Sequence, residues 1–162
     1  MRLMNLRPGI PADVPLLIDL ERASPTAAHW TERQYLQAVT GRESQQRLVL
    51  VAEGAPPVSA SRDSGSSLAG FLVARHIGLE WELENIVVAP AARGKGLGRH
   101  LLAALVAAAH EAGSQLVFLE VRESNTAARK LYESSGFQQT GRRKSYYANP
   151  PEDAIVYGKK LP

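Results

Sequence analysis

The chain has 162 residues, 44% of them hydrophobic and 22% charged, with a formal net charge of +3 and no cysteine. This length suits one domain spanning residues 1–162 with a core of its own, and the lack of cysteine excludes disulfides, cysteine metal sites and thiol nucleophiles. So small a net charge does not point to nucleic acid, no apolar run approaches the roughly 20 residues of a membrane span, and Met1–Arg7 lacks the apolar core of a signal peptide, so a cytoplasmic protein without membrane or nucleic-acid partners is expected.

Leu3 to Leu6 reads as a short first strand. Asp13 is placed to cap a helix with Pro15 in its first turn and Leu16, Leu17 and Leu20 on one face. Thr31 and Gln34 have capping-box spacing at the start of a second helix, with Trp30 and Tyr35 set to close a hydrophobic staple. Arg47 to Glu53 reads as a strand, and residues 54–67, rich in Ser, Pro and Gly, as a mobile hairpin-type insertion. Leu68 to His76 and Leu79 to Val88 suggest an antiparallel meander. A glycine-rich basic turn, Arg93-Gly94-Lys95-Gly96-Leu97-Gly98-Arg99, then opens an apolar-periodic helix that Gly113 ends. Gln115 to Arg122 is a strand, and Ser124 or Asn125 caps a helix running to about Ser135. Phe137 to Ala148 and Ala154 to Lys160 form two last strands around the turn Asn149 to Asp153. The order predicts an α/β fold, a mixed sheet with helices on its faces.

Strand, glycine-rich basic turn and helix together are one way to build a phosphate cradle, so a phosphate-bearing cofactor at this helix start is expected. Glycine tolerates positive φ and close approach to an anion, and the first N–H groups of the helix lack partners. Arg93, Lys95 and Arg99 add full charges. Glu120 interrupts an apolar run, Leu116 to Val121, that reads as a strand buried on both faces. Burial would raise its pKa and improve it as a base near neutral pH; the plainer alternative is a Glu paired with Arg122 or Arg75. Tyr132 follows Asn125 by two helical turns, on the same face, and could donate a proton to a leaving group or be a core-edge tyrosine. Glu80, Glu82 and Glu84 alternate along one strand, so all three carboxylates share a face, either solvated or binding an ammonium group. Arg142-Arg143-Lys144 reads as a solvated strand end. His29, His76, His100 and His110 show no metal-ligand spacing, so no metal is expected.

At these residues the chain resembles the GNAT superfamily of acyl-CoA N-acyltransferases. Arg93 to Gly98 fits that family's phosphate-binding pattern. Asn85 to Pro90, Leu119 to Ala128, Leu131 to Phe137, Arg142 to Tyr147 and Glu152 to Ile155 are similar to the RimI type, the bacterial ribosomal-protein-alanine N-acetyltransferases. The resemblance is close from about Leu83 onward. It implies a seven-stranded sheet splayed between its fourth and fifth strands, with acetyl-CoA in the split. It further implies that Ile86, Val87 and Val88 pair with the pantetheine arm, that Arg93, Gly94, Lys95, Gly96, Leu97, Gly98 and Arg99 hold the pyrophosphate, and that Asn125 touches the cofactor. Glu120 would be general base and Tyr132 general acid, and the acceptor the α-amino group of a protein N-terminus, in a monomer or weak dimer. The segment Ala23 to His29 and the insertion at 54–67 depart from the RimI type, with Trp30-Thr31-Glu32 matching, and the acceptor groove is built partly there. A GNAT enzyme for a small amine or a lysine side chain, and a non-catalytic CoA-binding module, are the alternatives.

Overall fold

The computed structural model describes residues 4–41, 46–54 and 67–162; apart from its two ends, the expected insertion lies outside them. Seven strands, β1 (Leu6–Pro8), β2 (Arg47–Glu53), β3 (Leu68–Ile77), β4 (Glu80–Val88), β5 (Leu116–Arg122), β6 (Gln138–Ala148) and β7 (Pro151–Lys160), form one sheet in the order β1-β2-β3-β4-β5-β7-β6. All neighbours are antiparallel except β4 and β5. The helices are α1 (Val14–Arg22), α2 (Glu32–Thr40), α3 (Leu97–Glu111) and α4 (Thr126–Ser134).

Alternation in the central strands builds two cores. Val49, Val51, Phe71 and Val73 face α1 and α2, where Val14, Leu17, Tyr35 and Ala38 meet them. Leu72, Ala74, Leu83, Val117 and Leu119 face the other way, under Leu101, Leu102 and Leu105 of α3 and Tyr132 of α4. A fully buried leucine is worth about 1.5–3 kcal/mol, so those three leucines suffice to dock α3. Gly98 lets α3 lie close to α4, since a Cβ there would stand 2.9 Å from Leu131 Cδ2.

The element order expected from sequence is found, with local corrections in the first strand and the first helix. The first strand is Leu6–Pro8, where Leu3 to Leu6 was expected; Leu3 lies outside the described residues. Asp13 does not cap α1 with its side chain. Its carboxylate instead accepts from Ile10 N at 2.8 Å and takes a two-pronged grip from Arg7 at 2.8 and 2.9 Å, because β1 places that guanidinium beside it. The fully buried residues of α1 are Val14, Leu17 and Glu21, with Leu16 and Leu20 packed half-buried against the same core. The capping box of Thr31 and Gln34 forms as expected, and the Trp30 and Tyr35 rings lie 5.4 Å apart.

Two irregularities shape the functional region. In β4, Asn85 pairs with Val73 and Leu83 with Ala74, so Glu84 has no partner opposite it. This bulge changes the parity of the strand: Leu83 and Ile86 face α3, while Asn85 and Val87 face α1 and α2. The second lies in β6, where Arg143 pairs with Ala154 and Tyr147 with Glu152, leaving Lys144, Ser145 and Tyr146 against a single residue. Ser145 there has φ 52.

Candidate active site

β4 and β5 pair only at Glu80–Leu116, Trp81–Val117 and Glu82–Phe118. Beyond these positions the strands part, and a cleft of about 1530 Å³ opens through the sheet. Drug-sized ligands occupy roughly 300–1,000 Å³, so the cleft has room for two substrates. Toward α3 and α4 it is lined by Gly94, Gly96, Arg99, Asn125, Leu131 and Tyr132; toward α1 and α2, by Trp30, Glu82, Glu84 and Asn85; Glu120, Tyr146 and Tyr147 line it along β5 and β6.

The basic turn closes one end of the cleft. Gly94 and Gly96 have φ 72 and 83, which only glycine adopts without strain, and Gly96 is the N-cap of α3. The first N–H groups of α3 therefore emerge from a left-handed turn with no intrahelical acceptor. Lys95 and Arg99 are exposed beside them. Arg93 behaves differently: its guanidinium donates to Val88 O at 3.1 Å and to Ser24 Oγ at 3.3 Å. A helix N-terminus whose first amides, and two cations beside them, have no partner among the described residues suits a pyrophosphate. Ile86 and Val88 line the cleft, whereas the Val87 side chain packs under α1 and α2. Asn125 caps α4 by accepting from Ala128 N at 3.2 Å, which leaves its amide N–H groups as donors.

Glu120 and Tyr132 meet at this cleft from different environments. β5 is buried at alternate residues, Val117, Leu119 and Val121, not on both faces as the apolar run suggested. The other face is half-buried, and the Glu120 side chain on it keeps 13% exposure. Its partner is neither Arg122 nor Arg75. Arg143 Nε of β6 stands 2.7 Å from Glu120 Oε1, and the interaction of the same carboxylate with the Tyr146 hydroxyl raises the pKa of that phenol. Arg122 instead holds the carbonyls of Asn149 and Pro150 and stacks on Tyr147 at 4.2 Å. Tyr132 is buried against Phe137 and Tyr157, and its side chain has no hydrogen-bond partner among the described residues. Burial pushes its pKa well above the usual phenol value, with the nearby Tyr147 adding to the effect.

Two sequence readings need correction. Glu82 and Glu84 are not simply solvated: Arg75 holds Glu82 at 2.9 Å, and Arg47 holds Glu84 at 2.9 Å, because β2 and β3 bring both arginines across the bulge. The run Arg142 to Lys144 is not only a solvated strand end. Arg142 bridges Glu123 and Asp153 at 2.7 and 2.9 Å, and Arg143 reaches Glu120. Arg143, Tyr146 and Tyr147 are the site residues that sequence reasoning missed as such. Two adjacent tyrosines beside a basic run were the available signal, but their aim depends on the β6 bulge, which Asp153 Oδ1 braces by accepting from Ser145 N at 2.8 Å. Among the described residues no group of His, Asp and Glu side chains is placed to hold a metal ion, and no helix is long and apolar enough to cross a membrane.

Residues 17–137 match the acetyltransferase (GNAT) family. The chain belongs to that family. GNAT acetyltransferases are N-acetyltransferases that take the acetyl group from acetyl-CoA, and the splayed sheet, glycine turn and free helix N-terminus fit that cofactor. The [ribosomal protein bS18]-alanine N-acetyltransferase of Haemophilus ducreyi is 35% identical over 107 residues, covering 64% of this chain and 74% of the relative. The N-alpha-acetyltransferase RimI of Mycobacterium tuberculosis is 41% identical over 97 residues, 57% of this chain and 60% of that protein, less than two thirds of its length. Among solved structures, the ribosomal-protein-S18-alanine N-acetyltransferase of Escherichia coli superposes with a TM-score of 0.76 at 28% identity, covering 98% of this GNAT chain and 94% of the other.

Proposed function

We propose that this GNAT enzyme acetylates the α-amino group of a protein N-terminus, a ribosomal protein being the substrate class, with Glu120 as general base and Tyr132 as general acid. The observation that carries the reading is the similarity to the Escherichia coli ribosomal-protein-S18-alanine N-acetyltransferase over 98% of the chain. The cleft's two sides give each substrate a place. Ile86, Val88 and the turn from Gly94 to Arg99 hold acetyl-CoA, with Asn125 as a further donor. The wall from Ser24 to Trp30, with Glu84 and Tyr146, flanks the acceptor.

Acetyl-CoA supplies the acetyl group as an activated thioester, so the protein's tasks are to bring a neutral amine to it and to support the departing sulfur. An α-amino group has a pKa of about 7.7–8.0, against about 10.4 for lysine, and needs less help to become neutral. Glu120, directly or through one water, takes the proton as nitrogen attacks. Tyr132 remains a neutral phenol at working pH and donates to the developing thiolate. Since its pKa is raised, the phenol is a weaker acid than a thiol. Its contribution as an acid is therefore a hydrogen bond to the sulfur that strengthens as charge develops, and the proton released by the amine to Glu120 ends on the released CoA thiol. Mass spectrometry of a peptide library after incubation with acetyl-CoA tests the reading. Acetylation at α-amino groups is expected; acetylation confined to lysine side chains or to small amines overturns it.

A further inference from the structure

Glu21, on the last turn of α1, is only 2% exposed and plays no part in the chemistry above. No Lys or Arg among the described residues forms an ion pair with it. A carboxylate buried without a cation is costly unless hydrogen bonds replace its hydration. Two donors do so here. Trp30 N donates to Glu21 Oε1 at 2.6 Å and Asn85 Nδ2 to the same oxygen at 3.4 Å. The Tyr35 hydroxyl accepts from Asn85 Nδ2 at 3.0 Å and stands beside the same carboxylate, and burial and that neighbouring charge raise the pKa of the phenol. The groups around the carboxylate come from three places: the residue two before α2, α2 itself, and β4 just past its bulge.

Trp30 and Asn85 line the cleft, so the cluster lies directly beneath it. The wall from Ser24 to Trp30 needs such an anchor. It contains no helix or strand, and His29 within it has φ 55, a conformation that residues other than glycine adopt only when their surroundings impose it. At its far end Ser24 Oγ accepts from Arg93 of the cofactor turn. At its near end the backbone N–H next to the strained residue is held by Glu21.

We propose that Glu21 is a positioning residue for acceptor recognition: its buried carboxylate fixes Trp30 and, through it, the shape of the wall that the acceptor meets, without touching either substrate. This rests on the placement of the acceptor beside that wall. Glu21→Ala leaves Trp30 N–H without its acceptor; Glu21→Gln keeps an oxygen for it. In steady-state assays, Glu21→Ala is expected to raise the acceptor KM at least tenfold while acetyl-CoA affinity stays within twofold of wild type. Glu21→Gln is expected to recover most of the acceptor KM, with Tyr35→Phe intermediate. Unchanged acceptor KM in Glu21→Ala, or an equal loss for both substrates, overturns the proposal.

A second measurement needs no acceptor. The chain has two tryptophans, so in a Trp81→Phe background fluorescence reports Trp30 alone. Acrylamide quenching of Trp30 is expected to rise several-fold in Glu21→Ala and to return in Glu21→Gln; unchanged quenching overturns the proposal. Should the acceptor prove not to be an α-amine, the KM comparison is made with whichever amine is acetylated, so failure of that reading and failure of this one remain distinct.

Discussion

At the scale of single residues, the site separates its two proposed catalytic groups by environment. Glu120 stands on the less buried face of β5 with a guanidinium and a phenol against it, whereas Tyr132 is enclosed by aromatic rings and has no polar partner among the described residues. A positioned acid or base contributes typically 10²–10⁴-fold. Tyr132→Phe, which keeps the ring in its packing, is therefore expected to lower turnover about 10²-fold with acetyl-CoA affinity unchanged, as single-turnover kinetics and cofactor titration would report. Since the Tyr132 pKa is raised, the phenol loses its proton only above the ordinary value of 10.0. The wild-type rate should hold through pH 9; a decline centred below that and missing from Tyr132→Phe would contradict the assignment. Glu120→Gln should lower the rate by a similar factor across the pH range, and full activity in that variant would shift attention to Glu84. Glu120 and Tyr132 were legible as candidates, one by its apolar neighbours and one by its spacing from Asn125. Arg143 and Tyr146 as partners of Glu120 were not, because strand alternation says which face a residue takes but not what lies across it.

At the scale of elements, the cleft depends on strands that stop pairing. β4 is bulged at Glu84 and parts from β5 after Glu82, and β6 turns out of register at Ser145. Bulges of this sort re-aim side chains beside functional sites. Gly70 of β3 shows how closely β4 is held on its other side: a Cβ there would stand 2.6 Å from Val87 O, a backbone atom with little room to yield. Gly70→Ala is expected to displace that stretch of β4, costing about 1–3 kcal/mol of stability. It should also weaken acetyl-CoA binding, because Ile86 and Val88 line the cofactor's side of the cleft; thermal melts and cofactor titration would read both. Helix boundaries were the most legible elements, as at the capping box of Thr31 and Gln34, because caps are local chemistry. The bulges were not, since each is a mismatch between two strands and has no signature in one of them.

At the scale of the whole molecule, two sheet halves meet along three residue pairs and are bridged by the core under α3 and α4. The first half is tied at its edge by Arg7 and Asp13, whose carboxylate is 3% exposed. The hydrogen bonds from Arg7 hold the Asp13 pKa below the ordinary carboxylate value, against the opposing effect of burial. A depressed folded-state pKa means that the unfolded chain binds the proton more readily. Its stabilisation is thus complete above the unfolded value of about 3.9 and is lost as pH falls toward the folded one. Asp13→Ala is expected to cost about 3 kcal/mol at pH 7 and to lose less further stability than wild type between pH 5 and 3, as denaturant titrations would measure. By itself the sequence determined the order of strands and helices, the phosphate-binding turn and the likeness to GNAT enzymes, all of which rest on short-range periodicity and turn chemistry. Only the tertiary structure decided that β4 and β5 splay at Glu82, that Arg143 meets Glu120, that Arg93 turns to Ser24, and that Glu21 is buried beneath the cleft. Those contacts join residues far apart in the chain, and register and bulges, not local preference, bring them together.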